Sequence, residues 1–97
     1  PAENVEAIHV ETPPGITMRI DGLSTISHLK LLILNRYMNK DFKMNFSGTL
    51  INLSNELEYC NWPKYPFECL PPNFEPDNLV ELILPYSNIK QLWKSRK

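Results

Sequence analysis

At 97 residues the chain is long enough for one small domain and too short for two. Hydrophobic residues make up 42% and charged residues 22%, an ordinary globular balance that is too apolar for a disordered chain. Ten basic residues against eleven acidic ones leave a formal charge of -1, which argues against a nucleic-acid groove, and no apolar run approaches the roughly 18 residues of a membrane span.

The chain opens on Pro1 rather than methionine, read here as a boundary within a longer coding sequence, and no secretory leader pattern follows. Residues 5–10, Val-Glu-Ala-Ile-His-Val, predict a short strand. Leu23, Ile26 and Leu29 stand three apart and predict a single helical turn ahead of a second strand over 29–34. Asn39 to Ser47 is read as loop. Leu50, Leu53 and Leu57 predict another helical turn before a third strand over 57–62, which Pro63 ends because proline cannot donate to a ladder. Pro66 to Pro72 and Pro76 to Asn78 return the chain to a fourth strand over 79–84, stopped by Pro85. Ile89 and Leu92 seed a last turn. Trp93 is read as core awaiting a further repeat, and the basic cluster Lys90, Lys94, Arg96 and Lys97 as a solvated, frayed tail.

Self-comparison shows why the four strands belong together. Leu29-Lys30-Leu31-Leu32-Ile33-Leu34 and Leu79-Val80-Glu81-Leu82-Ile83-Leu84 share the pattern L-x-x-L-x-L. Leu57-Glu58-Tyr59-Cys60-Asn61-Trp62 repeats it with a thiol and an indole in place of two leucines, and Val5 to Val10 repeats it in β-branched form. The starts at 5, 29, 57 and 79 are 24, 28 and 22 residues apart, in or near the spacing of leucine-rich repeats. In a strand alternate side chains face opposite sides, so Ile8 and Val10, Leu32 and Leu34, Cys60 and Trp62, and Leu82 and Leu84 point inward as layers of one core. No single copy can bury its own apolar face, and stacking completes it. The expected fold is therefore an α/β leucine-rich-repeat solenoid over residues 1–97, with a short parallel sheet of about four strands on the concave side and loops and helical turns on the convex side.

The outward positions are Ala7, His9 and Glu11, then Leu31, Ile33 and Asn35, then Tyr59, Asn61 and Pro63, then Glu81, Ile83 and Pro85. Solenoids bind partners on this concave face. Leu31, Ile33, Asn35, Tyr59, Asn61, Glu81 and Ile83 form the candidate interaction surface, with Leu31, Ile33, Tyr59 and Ile83 as a contiguous apolar stripe.

Other chemistry is thinly supported. Ser24, Ser27, His28 and Asp21 are the nearest approach to a hydrolase set, on a segment where capping is the simpler role, so no catalytic residue is assigned. Gly15, Gly22 and Gly48 are isolated and make no phosphate cradle. His9 is read as an ordinary surface histidine. Cys60 and Cys69, eight residues apart with His9 and His28 remote, do not make a zinc site and are read as free buried thiols. Among Trp62, Tyr65, Phe67 and Phe74, a possible stacking set, Trp62 and Phe74 are assigned to the core. Asn45-Phe46-Ser47 and Asn52-Leu53-Ser54 fit the glycosylation sequon and support the competing class of an extracellular leucine-rich receptor.

Leu53-Ser54-Asn55-Glu56-Leu57-Glu58-Tyr59, Trp62, Tyr65-Pro66, Leu70-Pro71-Pro72-Asn73-Phe74, Asn78-Leu79-Val80-Glu81-Leu82 and Tyr86 to Trp93 resemble the start of the leucine-rich repeats in plant intracellular immune receptors. The class resembled carries an N-terminal TIR domain and a central nucleotide-binding domain. Val5 to Ile8, Leu23-Ser24 and His28 to Leu32 are similar to the same junction. The departures are Cys60 in place of leucine and Phe67-Glu68-Cys69 where small and basic residues are common. The resemblance implies a cytoplasmic or nuclear disease-resistance protein in defence signalling. Its repeats would contact a pathogen effector or the receptor's own nucleotide-binding domain, with no nucleic acid and no cofactor. ADP or ATP is expected only in that other domain. A purely structural spacer without a partner is the bland alternative.

Overall fold

The computed structural model describes residues 4–13, 15–35 and 45–90. The described residues hold six strands: β1 (Ala7–Val10), β2 (Thr17–Arg19), β3 (Leu31–Leu34), β4 (Asn45–Ser47), β5 (Tyr59–Asn61) and β6 (Glu81–Ile83). β1, β3, β5 and β6 form one parallel sheet in that order. Its register aligns Ala7, Leu31, Tyr59 and Glu81 in one row, and Ile8, Leu32, Cys60 and Leu82 in the next. The alternation expected from the repeat is therefore realised, with Leu32, Leu34, Cys60 and Trp62 buried on the inner side.

Each strand starts two residues later than the repeat unit. At every junction one carbonyl accepts two successive N–H groups: Lys30 and Leu31 both donate to Glu6 O (2.7 and 3.1 Å), Glu58 and Tyr59 to Lys30 O (2.8 and 3.1 Å), and Val80 and Glu81 to Glu58 O (2.7 and 3.2 Å). Consecutive N–H groups that converge on one oxygen cannot alternate as a ladder requires, so extended pairing begins only beyond them. The first residue of each copy still faces the core. Leu29 and Leu57 are fully buried, and Val5 and Leu79 partly so.

The convex side differs from the expectation. A 3-10 helix, Asp21–Thr25, does precede β3, but Leu50, Leu53 and Leu57 reach the core from an irregular segment with only a turn at Asn55 and Glu56. The turn expected from Ile89 and Leu92 runs beyond the described residues, since Leu92 and Trp93 lie outside them, as do Lys94, Arg96 and Lys97. The stretch read as loop ends in β4, which pairs in parallel with β2 as a second sheet (Thr17 with Asn45, Met18 with Phe46, Arg19 with Ser47). Each three-residue strand carries one half-buried apolar residue, Met18 or Phe46, packed against the core. Gly48, just beyond β4, has φ +89°, and a Cβ there would stand 2.7 Å from Asp21 Oδ1, so the turn requires glycine.

The centre of the core is aromatic. Trp62 meets Phe46 and Tyr65 edge-on, with ring centroids at 5.7 and 5.0 Å, and Tyr65 meets Phe67 at 5.5 Å. Phe74 is buried as expected, and Tyr65 is buried as well, its hydroxyl donating to Cys69 O at 2.8 Å. Cys60 and Cys69 are free thiols, but only Cys60 is buried, Cys69 being half-exposed. Burial pushes the Cys60 thiol up to about 12, and burial foremost also raises the Tyr65 hydroxyl.

Two measurements check this core. Trp62→Ala should cost roughly 3 to 5 kcal/mol in urea unfolding, and Glu58→Ala, at an exposed position, less than about 0.5 kcal/mol. The second concerns alkali. A thiol held neutral in the fold contributes stability that is intact below its ordinary value of 9.0 and is lost as pH rises towards about 12. Unfolding midpoints should therefore start to fall near pH 9, and in Cys60→Ala only near 10.0, where Tyr65 begins to resist ionisation.

Candidate functional site

The concave face is two rows deep where its strands overlap. The first row runs Ala7, Leu31, Tyr59, Glu81 and the second His9, Ile33, Asn61, Ile83. In the first, Ala7 and Glu81 are exposed and Leu31 and Tyr59 half-buried. The second is more enclosed: Ile33 and Asn61 are each only 7% exposed, and Ile83 is half-buried. The apolar stripe expected from the sequence is thus accessible at Leu31, Tyr59 and Ile83 and closed at Ile33. The Asn61 Oδ1 atom is buried without a hydrogen-bond partner among the described residues.

Asn35 leaves the surface altogether. It is 2% exposed, sits at φ +52° immediately after β3, and its side chain ties two repeats together. Its Oδ1 accepts from Thr12 N, and its Nδ2 donates to Thr12 Oγ1 at 2.9 Å. Asparagine tolerates the left-handed region because its short amide can bond the backbone locally. Lys64 (φ 58°) and Tyr86 (φ 56°) take the same conformation after β5 and β6, each directly behind a proline. Lys64 N donates to Pro85 O at 2.8 Å, so pairing resumes beyond the residue that interrupts it.

Charges rim this face. His9 Nε2 meets Glu11 Oε2 at 2.7 Å, and Lys30 Nζ stands 3.9 Å from Glu6 Oε1, all exposed, so each pair stabilises little. Glu58 and Glu81 have no ion-pair partner among the described residues.

The serine, histidine and aspartate considered as a hydrolase set are divided among separate partners. Ser24 Oγ accepts from Ile51 N (3.1 Å) and Asn52 N (3.4 Å), His28 Nδ1 bonds Glu56 Oε2, and Asp21 takes Arg19 Nη2 at 3.0 Å. That contact holds the Asp21 carboxyl below its usual range. Ser24 and Ser27 do line a cleft of about 290 Å³ on the convex side, with Asn52, Ser54, Asn55 and Asn73, but neither His28 nor Asp21 reaches it. Ser54 Oγ is occupied as well, donating to Ser27 O at 3.0 Å and accepting from Glu56 N. These hydroxyls join the convex turns of adjacent repeats.

Residues 78–94 match the Leucine Rich Repeat family model. The fold is a leucine-rich-repeat segment. Along its length the chain is similar to plant disease resistance proteins. It is 51% identical to the disease resistance protein LAZ5 of Arabidopsis thaliana over 98% of the chain and 9% of that protein. It is 54% identical to the disease resistance protein RPP2B of the same plant over 78% of the chain and 7% of the relative. The disease resistance-like protein DSC1, also of Arabidopsis thaliana, is 30% identical over 98% of the chain and 8% of its own length. The leucine-rich-repeat segment therefore spans less than a tenth of each of these relatives. No solved structure matches it. Among the described residues no helix is long and apolar enough to cross a membrane.

Leu31, Tyr59, Glu81 and Ile83 stand in the two outward rows, whereas Asn35 is a latch that sequence reasoning missed, since its partner, Thr12, is 23 residues away. Asn35→Ala should cost about 2 kcal/mol, from two lost hydrogen bonds and a strained φ, and Asn35→Gly about half as much because the strain is relieved. Thermal melting of the two variants checks the order.

Proposed function

We propose that this segment is the protein-interaction and autoinhibitory or effector-sensing repeat of a plant intracellular immune receptor, of the class that also carries a TIR domain and a nucleotide-binding domain. Its partner is a pathogen effector or the receptor's own nucleotide-binding domain, and it performs no catalysis itself. A bound ADP or ATP belongs to that other domain. Similarity to disease resistance proteins supports the setting, and the two unpaired thiols suit the reducing cytoplasm or nucleus.

The observation that carries the reading is the accessible row Leu31–Tyr59–Glu81 with Ile83 beside it, an apolar and aromatic patch on the concave face of a short parallel sheet. A spacer has no need of such a patch. The competing extracellular reading draws on Asn45 and Asn52, both exposed sequon asparagines, and glycan mass on protein from its native source decides between them.

Ile83 is the position to test, because Ile33 is too enclosed for a charge there to be read as anything but misfolding. In the full-length receptor Ile83→Glu should alter regulation, as constitutive signalling or lost sensing, with protein levels unchanged. Unaltered signalling at normal levels would favour the spacer.

A further inference from the structure

We infer that the concave face takes a basic side chain of its protein partner, an arginine set over Tyr59 with its guanidinium against Glu81. The inference rests on the docking reading above and adds the chemistry of what docks. Tyr59 and Glu81 are register partners on adjacent parallel strands, so their Cα atoms stand about 4.8 Å apart on the same side of the sheet. Leu31 flanks Tyr59 on its other side. Along β5, two residues on, lies Asn61, between Ile33 and Ile83. The array is thus an aliphatic wall, an aromatic ring, a carboxylate and an amide.

Charge supplies the sign of the occupant. Around this face Glu11 has the His9 ring at hydrogen-bond distance and Glu6 has Lys30 beside it. Glu81 is exposed with no ion-pair partner among the described residues, and Glu58, whose carbonyl receives the N–H of Glu81, adds a second unmatched carboxylate at the strand-start rim. Asn61 is an independent indication. More than nine-tenths buried, it holds an acceptor oxygen that no donor meets among the described residues. It stands two residues along β5 from Tyr59 in the outward row, where a guanidinium N–H seated over that ring would supply a donor.

Arginine fits these groups better than lysine. Its planar cation stacks on a ring and still has several donors for a carboxylate and an amide oxygen, and its aliphatic stem packs on Leu31 and Ile83.

The test uses a Gly-Arg-Gly-Arg-Gly peptide and its citrulline counterpart, neutral but nearly isosteric, titrated into the 97-residue chain and followed by NMR at the Asn61 amide and the Tyr59 ring. The arginine peptide should shift both signals in a saturable, salt-sensitive way, and the citrulline peptide should bind about fivefold more weakly. Glu81→Gln, at an exposed position that leaves the core untouched, and Tyr59→Leu should each weaken the arginine peptide by about the same factor. Equal binding of the two peptides, or arginine binding unchanged in both variants, would overturn the inference. The docking reading survives that result if Ile83→Glu still alters receptor regulation, and falls with it if Ile83→Glu is silent too.

Discussion

No repeat in this chain can bury its own side chains, and that constraint organises everything else. Leu29, Leu32 and Leu34 are covered only because Leu57, Cys60 and Trp62 stand beside them in register, and the partial exposure of Leu79, Leu82 and Leu84 in the outer strand shows what one-sided cover achieves. Register is therefore held at both ends of every strand. At the start, a single carbonyl gathers two N–H groups from the next repeat; at the finish, the Asn35 side chain or the Lys64 N–H reaches across. A slip by one residue would turn Cys60 and Trp62 outward together.

The large middle repeat shows how the stack absorbs irregular lengths. The 28-residue spacing between the second and third copies places Trp62 where its neighbours have leucine. The indole needs space and flat neighbours, which Phe46 from the second sheet and Tyr65 from the following turn provide edge-on. Its Nε1 hydrogen has no acceptor among the described residues, a cost of about 1 to 3 kcal/mol that the aromatic contacts must offset. Much of the convex structure, including β4 and the glycine turn after it, can be understood as the frame around this one ring.

The sequence made the main sheet legible because period-two alternation and a repeated L-x-x-L-x-L specify both strand and stacking neighbour. It left β2 and β4 invisible, since Thr17-Met18-Arg19 and Asn45-Phe46-Ser47 each carry one apolar residue between polar ones, too short a run to register as periodic. The convex helical turns were over-read for the opposite reason. Leucines three or four apart need only reach the core, and Leu50, Leu53 and Leu57 do so from irregular backbone. For the candidate surface, alternation indicates the side but not the depth. Ile33 and Asn61 stand in the outward row and are buried there, and Asn35 turns into the scaffold; such burial depends on neighbours that a single strand does not encode.

That difference in depth bears on how such a surface can change its partner without losing its fold. The row Leu31–Tyr59–Glu81 is accessible and borders the core without filling it, so substitutions there chiefly alter what the face can bind. The row Ile33–Asn61–Ile83 serves two masters: Ile33 and Asn61 are enclosed by the fold, and only Ile83 is open enough to vary. Asn35 belongs wholly to the scaffold. Specificity should therefore drift along the strand-start edge of the sheet and stay fixed along its far edge. The buried amide of Asn61 stands at the boundary, a polar group kept among isoleucines at a position where an aliphatic side chain would pack without an unmet hydrogen bond. A polar group that weakens the fold persists most readily where something outside the fold supplies the missing bond.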